Sequence, residues 1–276
     1  MTSVRIALAQ MTSGIDPAEN LDQIAAAAVQ AASSGAQMLF LPEMALLLDR
    51  NRERSAAHLT TEEASPWPAR LAAIAADSSL WLHAGSAPFV SSNGQRRVNR
   101  SLIFAPDGAL AARYDKVHMF DVDLPTGESW RESAAYDGGG KLVVLDTPVG
   151  ALGLSICFDL RFPELYAALV HHGATALAVP AAFTVPTGTA HWHILLRARA
   201  IETGCFVIAP AQAGAHADGR TTFGHSIVID PWGHVIAEAD SEGPALIFAD
   251  IDSAAVTAGR AAIPLVRSRA SRRLRF

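Results

Sequence analysis

Three residues with reactive side chains, a carboxylate, an ammonium and a thiol, each follow a short apolar segment. Glu43 comes after MLFLP, Lys116 after a segment that ends in RYD, and Cys157 after GLSI. In α/β proteins the ends of buried strands are where ligand sites form, so these side chains are candidates for one site. Each also has an ordinary structural explanation, because a cysteine after an apolar strand is usually a small core residue and the other two can be solvated.

Together the three groups could transfer an acyl group without a histidine. A thiol is mostly protonated at neutral pH, because its ordinary pKa is about 8.5. A carboxylate in the same dry pocket would have a raised pKa, so it could take the thiol proton and return it to an amine leaving group. The ammonium would stabilise the thiolate and the oxyanion that develops on the substrate. The residue types therefore allow acyl transfer through a cysteine nucleophile.

The segments that would position these residues begin with a strand–helix–strand pattern. An apolar strand is predicted over 4–10, an alanine-rich helix over 21–32 and a buried strand over 38–41. Asn20 is the predicted N-cap of the helix, and Gly35 is predicted to end it. This pattern is typical of a layered α/β protein.

The middle of the chain is predicted to form consecutive strands joined by Ser-Asn-Gly and Pro-Asp-Gly turns. Such turns imply antiparallel hairpins, and hence a mixed sheet. Further helices are expected at 162–171, between Pro163 and Gly173, and at 190–202. The remaining predicted strands lie at 81–84, 98–104, 109–114, 142–145, 151–156, 176–179, 206–209, 225–229, 235–237 and 245–251.

Two polar stretches, 49–62 and 121–140, are predicted to be loops over a site. No linker composition and no internal repeat interrupt the chain, so one domain over 1–276 is predicted.

The composition is that of a globular protein, with 276 residues, 50% hydrophobic and 18% charged. A formal net charge of -5 argues against nucleic acid or an anionic membrane as a partner. No secretory leader or membrane span is apparent, and two cysteines cannot form a disulfide framework, so a cytoplasmic location is expected. Ten histidines without an HExxH arrangement predict that no metal is used.

The C-terminal segment is rich in arginine. A nucleic-acid arm is one interpretation, but a solvated or subunit-contacting end is the more common explanation for such charges. The arginines concerned are Arg267, Arg269, Arg272, Arg273 and Arg275.

The segments around the three reactive residues resemble the signatures of the nitrilase superfamily, the carbon–nitrogen hydrolases. These segments are LFLPEM, YDKVHMFDVDLP and GLSICFDLRFPEL, in the order that the family has them. The similarity continues through 187–203 and 223–233. The resemblance implies a four-layer α-β-β-α sandwich with mixed sheets, commonly paired into an α-β-β-α-α-β-β-α homodimer or assembled into a higher homo-oligomer. It also implies an amidase-type hydrolase without a cofactor.

The same resemblance assigns roles to individual residues. Cys157 would be the nucleophile, Glu43 the general base and acid, and Lys116 the cation that stabilises the oxyanion. The backbone N–H of Phe158 would be the second oxyanion donor. Glu132 would orient Lys116 and the substrate, although by type it can also be a surface loop carboxylate.

The segment CFDLRFPE resembles the branch that contains the amidases of deaminated glutathione and of α-ketoglutaramate. This implies hydrolysis of a primary carboxamide on a small α-keto-acid metabolite. Arg161 would clamp the substrate carboxylate, or pair with Glu164, or both. Phe183 and Thr187 would line the pocket, unless they serve only loop packing. The alternatives are an ω-amidase acting on α-ketoglutaramate, a hydrolase of a nitrile or an N-carbamoyl amine, and a non-catalytic binding role, which the intact Glu43, Lys116 and Cys157 argue against.

Some other conspicuous residues are predicted to be structural. Arg199 and Glu202 are three apart on a predicted helix and can pair. His191 and His193 are two apart on the same helix, so they point in different directions and cannot share a metal. Thr189 departs from the family pattern, in which a proline is usual.

Overall fold

The computed structural model describes residues 3–125 and 127–265, and shows two mixed β-sheets with helices on their outer faces. The strands in chain order are β1 Val4–Gln10, β2 Met38–Phe40, β3 Trp81–His83, β4 Ala87–Val90, β5 Arg97–Phe104, β6 Leu110–Asp115, β7 Asp121–Asp123, β8 Ser129–Arg131, β9 Val144–Thr147, β10 Gly150–Leu154, β11 Ala176–Ala178, β12 Phe206–Ala209, β13 Ala213–Ala215, β14 Thr221–Phe223, β15 Ile227–Ile229, β16 Val235–Glu238 and β17 Ala245–Ile251.

Six α-helices and two 3₁₀ turns lie in the described part of the chain. The 3₁₀ turns are Glu132–Ala134 and Cys157–Arg161. The helices are α1 Pro17–Ser33, α2 Arg52–Ala56, α3 Trp67–Ser78, α4 Pro163–His171, α5 Val185–Thr203 and α6 Ser253–Ala262.

Each large sheet has parallel strands in its middle. The first has the order β17-β1-β2-β3-β5-β4, with β6 also paired to β5, and the second has the order β16-β15-β12-β11-β10-β9. Strands β1, β2 and β3 are parallel, as are β10, β11 and β12. Their carboxyl ends therefore meet at one edge of each sheet, where an α/β protein places its ligands.

Alternate residues of β1 belong to two different cores. Ile6 and Leu8 pack in the core that also contains the second sheet, whereas Ala7 and Ala9 pack with helices α1 and α3. Successive side chains of a strand point to opposite faces, so the first sheet is covered on both sides. Helices α4 and α5 contribute to the core of the second sheet, and the result is the predicted α-β-β-α sandwich.

Helix α1 begins earlier than its composition indicates. Its N-cap is Asp16, whose side chain accepts a hydrogen bond from the N–H of Ala18, and Pro17 occupies the first turn. The prediction of Asn20 as the cap is wrong. Asn20 is buried inside the helix, where it exchanges hydrogen bonds with Gly14 and donates to the carbonyl of Leu46. Gly35 follows the C-cap with a positive φ of 77°, as expected.

Several elements have no counterpart in the sequence-based prediction. Helices α2, α3 and α6, strand β4 and the short hairpins β7–β8 and β13–β14 were not predicted, and α5 begins five residues earlier than 190. The stretches at 49–62 and 121–140 contain short elements instead of being wholly loops. Among helices of the described chain, none combines the length and the apolar character that crossing a membrane requires. The arginine-rich end lies outside the described residues.

Candidate active site

Glu43, Lys116 and Cys157 lie just after strands that end at the same edge of the two sheets. Glu43 follows β2, Lys116 follows β6, and Cys157 follows β10. All three line one cavity of about 560 Å³. The chain thus brings together side chains that are far apart in sequence, which is the convergence that the sequence predicted.

Lys116 is held between two carboxylates. Its Nζ lies 3.0 Å from Oε1 of Glu43 and 2.9 Å from Oε2 of Glu132. The side chain of Lys116 is 2% exposed. Glu132 is itself fixed, because its Oε2 also accepts a hydrogen bond of 2.6 Å from the backbone N–H of Phe120. Glu132 is therefore an ion-pair partner of Lys116, not a free surface carboxylate.

The two carboxylates decide the charge state of Lys116. Burial alone would lower its pKa, but the charges of Glu132 and then Glu43 outweigh this effect and hold the pKa well above its ordinary value. Lys116 is consequently an ammonium at neutral pH, and its almost fully buried side chain is available to stabilise negative charge at the cavity wall.

Cys157 has an unusual backbone and a protonated thiol. Its φ is 48°, in the left-handed region that non-glycine residues rarely adopt. Burial raises the pKa of the thiol well above its ordinary value, the negative charge of Glu43 raises it further, and the ammonium of Lys116 acts in the opposite direction. The free thiol therefore needs a base at the moment of reaction, and Glu43 is the carboxylate beside it.

Phe158 follows Cys157 in a 3₁₀ turn. Its backbone N–H, at the start of the turn, has no acceptor among the residues that the structure describes. This backbone N–H, next to the thiol of Cys157, is in a position where it could donate a hydrogen bond to an oxyanion. The Phe158 ring packs edge-on against Phe120 and Phe162, which closes this side of the cavity with apolar surface.

Asn99 is a site residue that sequence reasoning missed. It lies on β5, fully buried, and its Nδ2 donates a hydrogen bond of 2.9 Å to Oε1 of Glu43. Its backbone carbonyl accepts from the N–H of Lys116 at 2.9 Å. One residue thus fixes both members of the ion pair. No motif marks it, because an asparagine inside a strand has no distinctive spacing.

Asp159 is a second missed residue, and it joins the loop of Lys116 to the turn of Cys157. Its carboxylate accepts from the hydroxyl of Tyr114 at 2.7 Å, from the backbone N–H of His118 at 2.9 Å and from the backbone N–H of Ile156 at 2.9 Å. It is fully buried. The turn after Cys157 is also held by Arg199, whose guanidinium donates to the carbonyl of Leu160.

Arg199 also pairs with Glu202, as the spacing predicted. Arg161, in contrast, forms no ion pair with Glu164, although both residues are described. Its Nη1 instead lies 3.2 Å from Nδ1 of His191, and its guanidinium carbon lies 5.7 Å and 5.3 Å from the ring centroids of Phe158 and Phe183. Burial lowers the pKa of Arg161.

Phe183 and Thr187 line the cavity, as predicted. Both are buried, and the hydroxyl of Thr187 is 2.9 Å from that of Thr184. Residues from 49–62 and 121–140 also contribute to the wall, which agrees with the prediction that these stretches lie over a site. The cavity wall holds no group at metal-ligand spacing within the described residues. The one group of that kind, around His193, lies elsewhere.

An α-β-β-α sandwich with a glutamate, a lysine and a cysteine at its strand ends is the arrangement expected of the nitrilase superfamily. The profile of the family described as carbon-nitrogen hydrolase matches residues 5–261. The chain belongs to this family and is a carbon–nitrogen hydrolase.

Individual relatives support the same assignment. Deaminated glutathione amidase of Yersinia enterocolitica is 42% identical over 240 residues, which cover 86% of this chain and 83% of the relative. The crystal structure of Saccharomyces cerevisiae Nit3, described as a member of branch 10 of the nitrilase superfamily, is 30% identical with a TM-score of 0.86 and covers 97% of each chain.

A third relative is an amidase from Nesterenkonia sp. AN1, which is 30% identical with a TM-score of 0.79 and covers 95% of this chain and 98% of the relative. That structure is of a mutant and is described as showing the result of Michael addition of acrylamide at the active site cysteine.

Proposed function

We propose that this protein hydrolyses an amide of a small α-keto acid through a thioester on Cys157. One observation carries the proposal. Lys116 is held as an ammonium between Glu43 and Glu132 in the cavity that also contains the buried thiol of Cys157. The relatives named deaminated glutathione amidase and the active site cysteine of the Nesterenkonia amidase support this assignment.

In the first half-reaction the thiol of Cys157 attacks the amide carbon while Glu43 takes its proton. The negative charge that develops on the carbonyl oxygen is stabilised by the ammonium of Lys116 and the backbone N–H of Phe158. Donors of this kind are fixed before the reaction, so they cost no reorganisation when the charge forms. The C–N bond then breaks, and Glu43 gives its proton to the leaving nitrogen.

In the second half-reaction water attacks the thioester. Glu43 takes the proton of the water, the tetrahedral species is stabilised by the same two donors, and the C–S bond breaks. The sulfur leaves as a thiolate and is reprotonated by Glu43. The keto acid loses its proton to the solvent and leaves as a carboxylate, and the enzyme returns to its starting state. The pair of thiol and carboxylate thus splits one difficult step into two.

Asn99, Asp159 and Glu132 are proposed to position the reacting groups. Asn99 and Glu132 fix Glu43 and Lys116 by direct hydrogen bonds. Asp159 holds the turn of Cys157 against the loop that carries Lys116. Reactive geometry depends on such support, because a displacement of about 1 Å can cost on the order of 100-fold in rate.

Arg161 is proposed to bind the carboxylate of the substrate. Its guanidinium faces the cavity between Phe158 and Phe183 and has no carboxylate partner among the described residues. Burial opposes its charge, so an anion arriving beside it would be strongly favoured. Phe183 and Thr187 would enclose the carbon chain between the clamp and the amide.

The cavity volume of about 560 Å³ is in the range of small-molecule sites, which agrees with a metabolite substrate.

Deaminated glutathione and α-ketoglutaramate give the same acyl group and differ in the leaving nitrogen, a peptide amine in the first and ammonia in the second. Only α-ketoglutaramate is a primary carboxamide, so deaminated glutathione departs from the primary carboxamide that the resemblance implies. The mechanism accommodates either leaving group.

A substrate panel tests the proposed activity. We expect kcat/KM to be highest for deaminated glutathione, lower for α-ketoglutaramate, and lower still for a nitrile and an N-carbamoyl amine of the same acid. Liberated amine, ammonia and keto acid are measured in each case. Preference for the nitrile or the carbamoyl compound would refute the proposed substrate class, and no turnover of any of them would favour a binding role.

We further propose a homodimer in the cytoplasm. Several large apolar side chains on α5 and around β16 are exposed, and Ile194 is 70% exposed. A second copy of the chain covering this surface would remove them from water. Sedimentation analysis of the wild type and of Ile194→Asp measures the oligomeric state. The substitution is expected to shift the dimer towards monomer. An unchanged distribution of monomer and dimer would contradict the proposed contact.

A further inference from the structure

Three side chains that the proposed reaction does not use meet outside the lining of the active-site cavity. His193 on α5, His225 before β15 and Glu238 at the end of β16 each present one ligand atom, and these atoms lie within 4.8 Å of one another. Oε1 of Glu238 is 2.7 Å from Nε2 of His193 and 2.8 Å from Nδ1 of His225. The cluster joins elements that are separated in sequence.

The backbone of His225 is fixed by buried surroundings. Its φ is 57°, in the left-handed region, and its carbonyl accepts a hydrogen bond of 2.8 Å from the indole N–H of Trp192, which is buried. The ring is packed at 4.5 Å from the ring of Phe223. His193 lies one residue after Trp192 on the same helix. The backbone of His225 is thus fixed by the fold, and that of His193 by its place next to the buried Trp192.

The chemistry of the three ligand atoms is that of a transition-metal site. Two imidazole nitrogens and one carboxylate oxygen form a set that zinc commonly binds, with an additional position left for water. Zinc lies about 2.0–2.2 Å from such atoms. For one ion to bind all three groups, the Glu238 oxygen must move away from the two ring nitrogens that it now contacts directly.

We propose that His193, His225 and Glu238 form a binding site for a divalent transition-metal ion of the zinc class. The ion takes the place of the contacts between the imidazoles and Glu238, and each ring binds it as the neutral tautomer with its proton on the other nitrogen. All three ligands belong to one chain, so each chain binds one ion. The site ties α5 to β16, and α5 also carries Thr187 of the cavity wall.

Binding of Zn²⁺ to untagged protein, measured by isothermal titration calorimetry, tests the proposal. We expect the wild type to bind one Zn²⁺ per chain. In His193→Gln and in Glu238→Gln the affinity for Zn²⁺ should fall by at least about 10- to 100-fold, which is the cost of losing a supporting partner at such sites. His234→Gln is the matched control, because His234 also pairs with a carboxylate, Asp230, at 3.0 Å, but lies outside the cluster. Its affinity should equal that of the wild type.

Cys157 carries a thiol that lines the cavity and could also capture zinc, so Cys157→Ala is titrated as well. Retention of one Zn²⁺ per chain in Cys157→Ala supports the proposed site. Loss of binding there, or equal affinity in Glu238→Gln and the wild type, would overturn it. So would a wild-type protein that binds no Zn²⁺ at all.

A second measurement needs no variant of the cluster. Co²⁺ added to the wild type should give the weak visible absorption of nitrogen and oxygen ligation, without the intense near-ultraviolet band of a thiolate–cobalt bond. Zn²⁺ should also raise the melting temperature of the wild type, because a ligand that binds only the native state stabilises it. A thiolate band as the sole cobalt signal would contradict the site.

Discussion

At the scale of single residues, the charge on Lys116 depends on its neighbours. Burial disfavours the ammonium, and the charges of the two carboxylates within 3.0 Å are the largest effects that restore it. Arg161 is in a different situation, because it is a half-buried cation that faces the cavity and has no carboxylate beside it within residues 3–125 and 127–265. The protein itself supplies the counter-charges of Lys116, whereas Arg161 is available to an anionic substrate. This difference assigns Lys116 to catalysis and Arg161 to substrate binding.

Replacing Arg161 by glutamine should impair binding more than chemistry. A hydrogen bond to a charged group contributes about 1.5–3 kcal/mol, so KM for an α-keto-acid amide should rise by roughly 10- to 150-fold while kcat changes little. Steady-state kinetics with deaminated glutathione measures both constants.

A substrate without the carboxylate serves as the control for Arg161. For such an amide, wild type and Arg161→Gln should have similar kcat/KM, since the lost contact is absent in both. An equal loss with both substrates would show that Arg161 supports the fold of the cavity instead of binding the carboxylate.

The reactive residues could be predicted from the sequence because each carries its own motif. The supporting residues could not. Asn99 and Asp159 act through hydrogen bonds across 41 to 56 positions of sequence, and nothing in their local segments indicates those partners. His225 and Glu238 are similar, since they meet His193 only after the second sheet has formed.

At the scale of elements, the end of β2 is positioned by a close approach of Gly85. A Cβ atom at Gly85 would lie 1.9 Å from the carbonyl oxygen of Pro42, the residue before Glu43. The φ of Gly85 is 61°, which also favours glycine. Only a residue without a side chain allows the β2 end and the turn after β3 to pack at this distance.

Gly85→Ala should therefore destabilise the protein and displace Glu43. Gly94→Ala is the control, because Gly94 has a φ of 71° and nothing within 4 Å of an added Cβ. We expect the free energy of unfolding of Gly85→Ala to be about 1–3 kcal/mol lower than that of Gly94→Ala, as for overpacked sites. Urea unfolding measures this, and kcat should fall only in Gly85→Ala. Equal effects of the two substitutions would disprove the steric explanation.

Strand β3 contributes a pH-dependent term to stability through His83. This residue is fully buried, and its Nδ1 accepts a hydrogen bond of 3.2 Å from the N–H of Gly85. Burial lowers the pKa of His83 to about 4. Since the unfolded chain binds the proton near pH 6.5, the contribution of neutral His83 is complete above that pH and is lost as the pH falls towards 4.

The expected loss from His83 is about 3 kcal/mol, from 1.36 kcal/mol for each unit of pKa difference. His83→Asn keeps an acceptor for Gly85 but cannot titrate. Its free energy of unfolding should start lower than that of the wild type and decline less between pH 6.5 and 4. Chemical denaturation across this range measures both curves, and parallel curves would rule out His83 as the cause.

The element boundaries show what local sequence can and cannot indicate. The apolar run at 4–10 predicted strand β1, and the glycines at 35 and 173 predicted where helices α1 and α4 end. These predictions are confirmed. The start of α1 was wrong because Asn20 and Asp16 are both good caps by type. Tertiary contacts decide between them, since Asn20 is needed for the Leu46 carbonyl.

At the scale of the whole molecule, the site exists because two sheets place their strand ends together. Glu43 and Lys116 come from the first sheet and Cys157 from the second. Gln212 joins the two halves, with its Nε2 donating to the hydroxyl of Ser13 at 2.7 Å and to the carbonyl of Glu43 at 3.0 Å. The architecture could be predicted only through the family resemblance, because periodicity gives strands but not their order.

The central claim is that Cys157 forms a thioester with the acyl group of the amide. Rapid quenching with acid during turnover of deaminated glutathione, followed by mass spectrometry of the intact protein and its peptides, measures this directly. We expect an added α-ketoglutaryl group on the peptide that contains Cys157, and neither adduct nor turnover in a folded Cys157→Ala variant. Wild-type turnover rates in Cys157→Ala, or an adduct on another residue, would contradict the account.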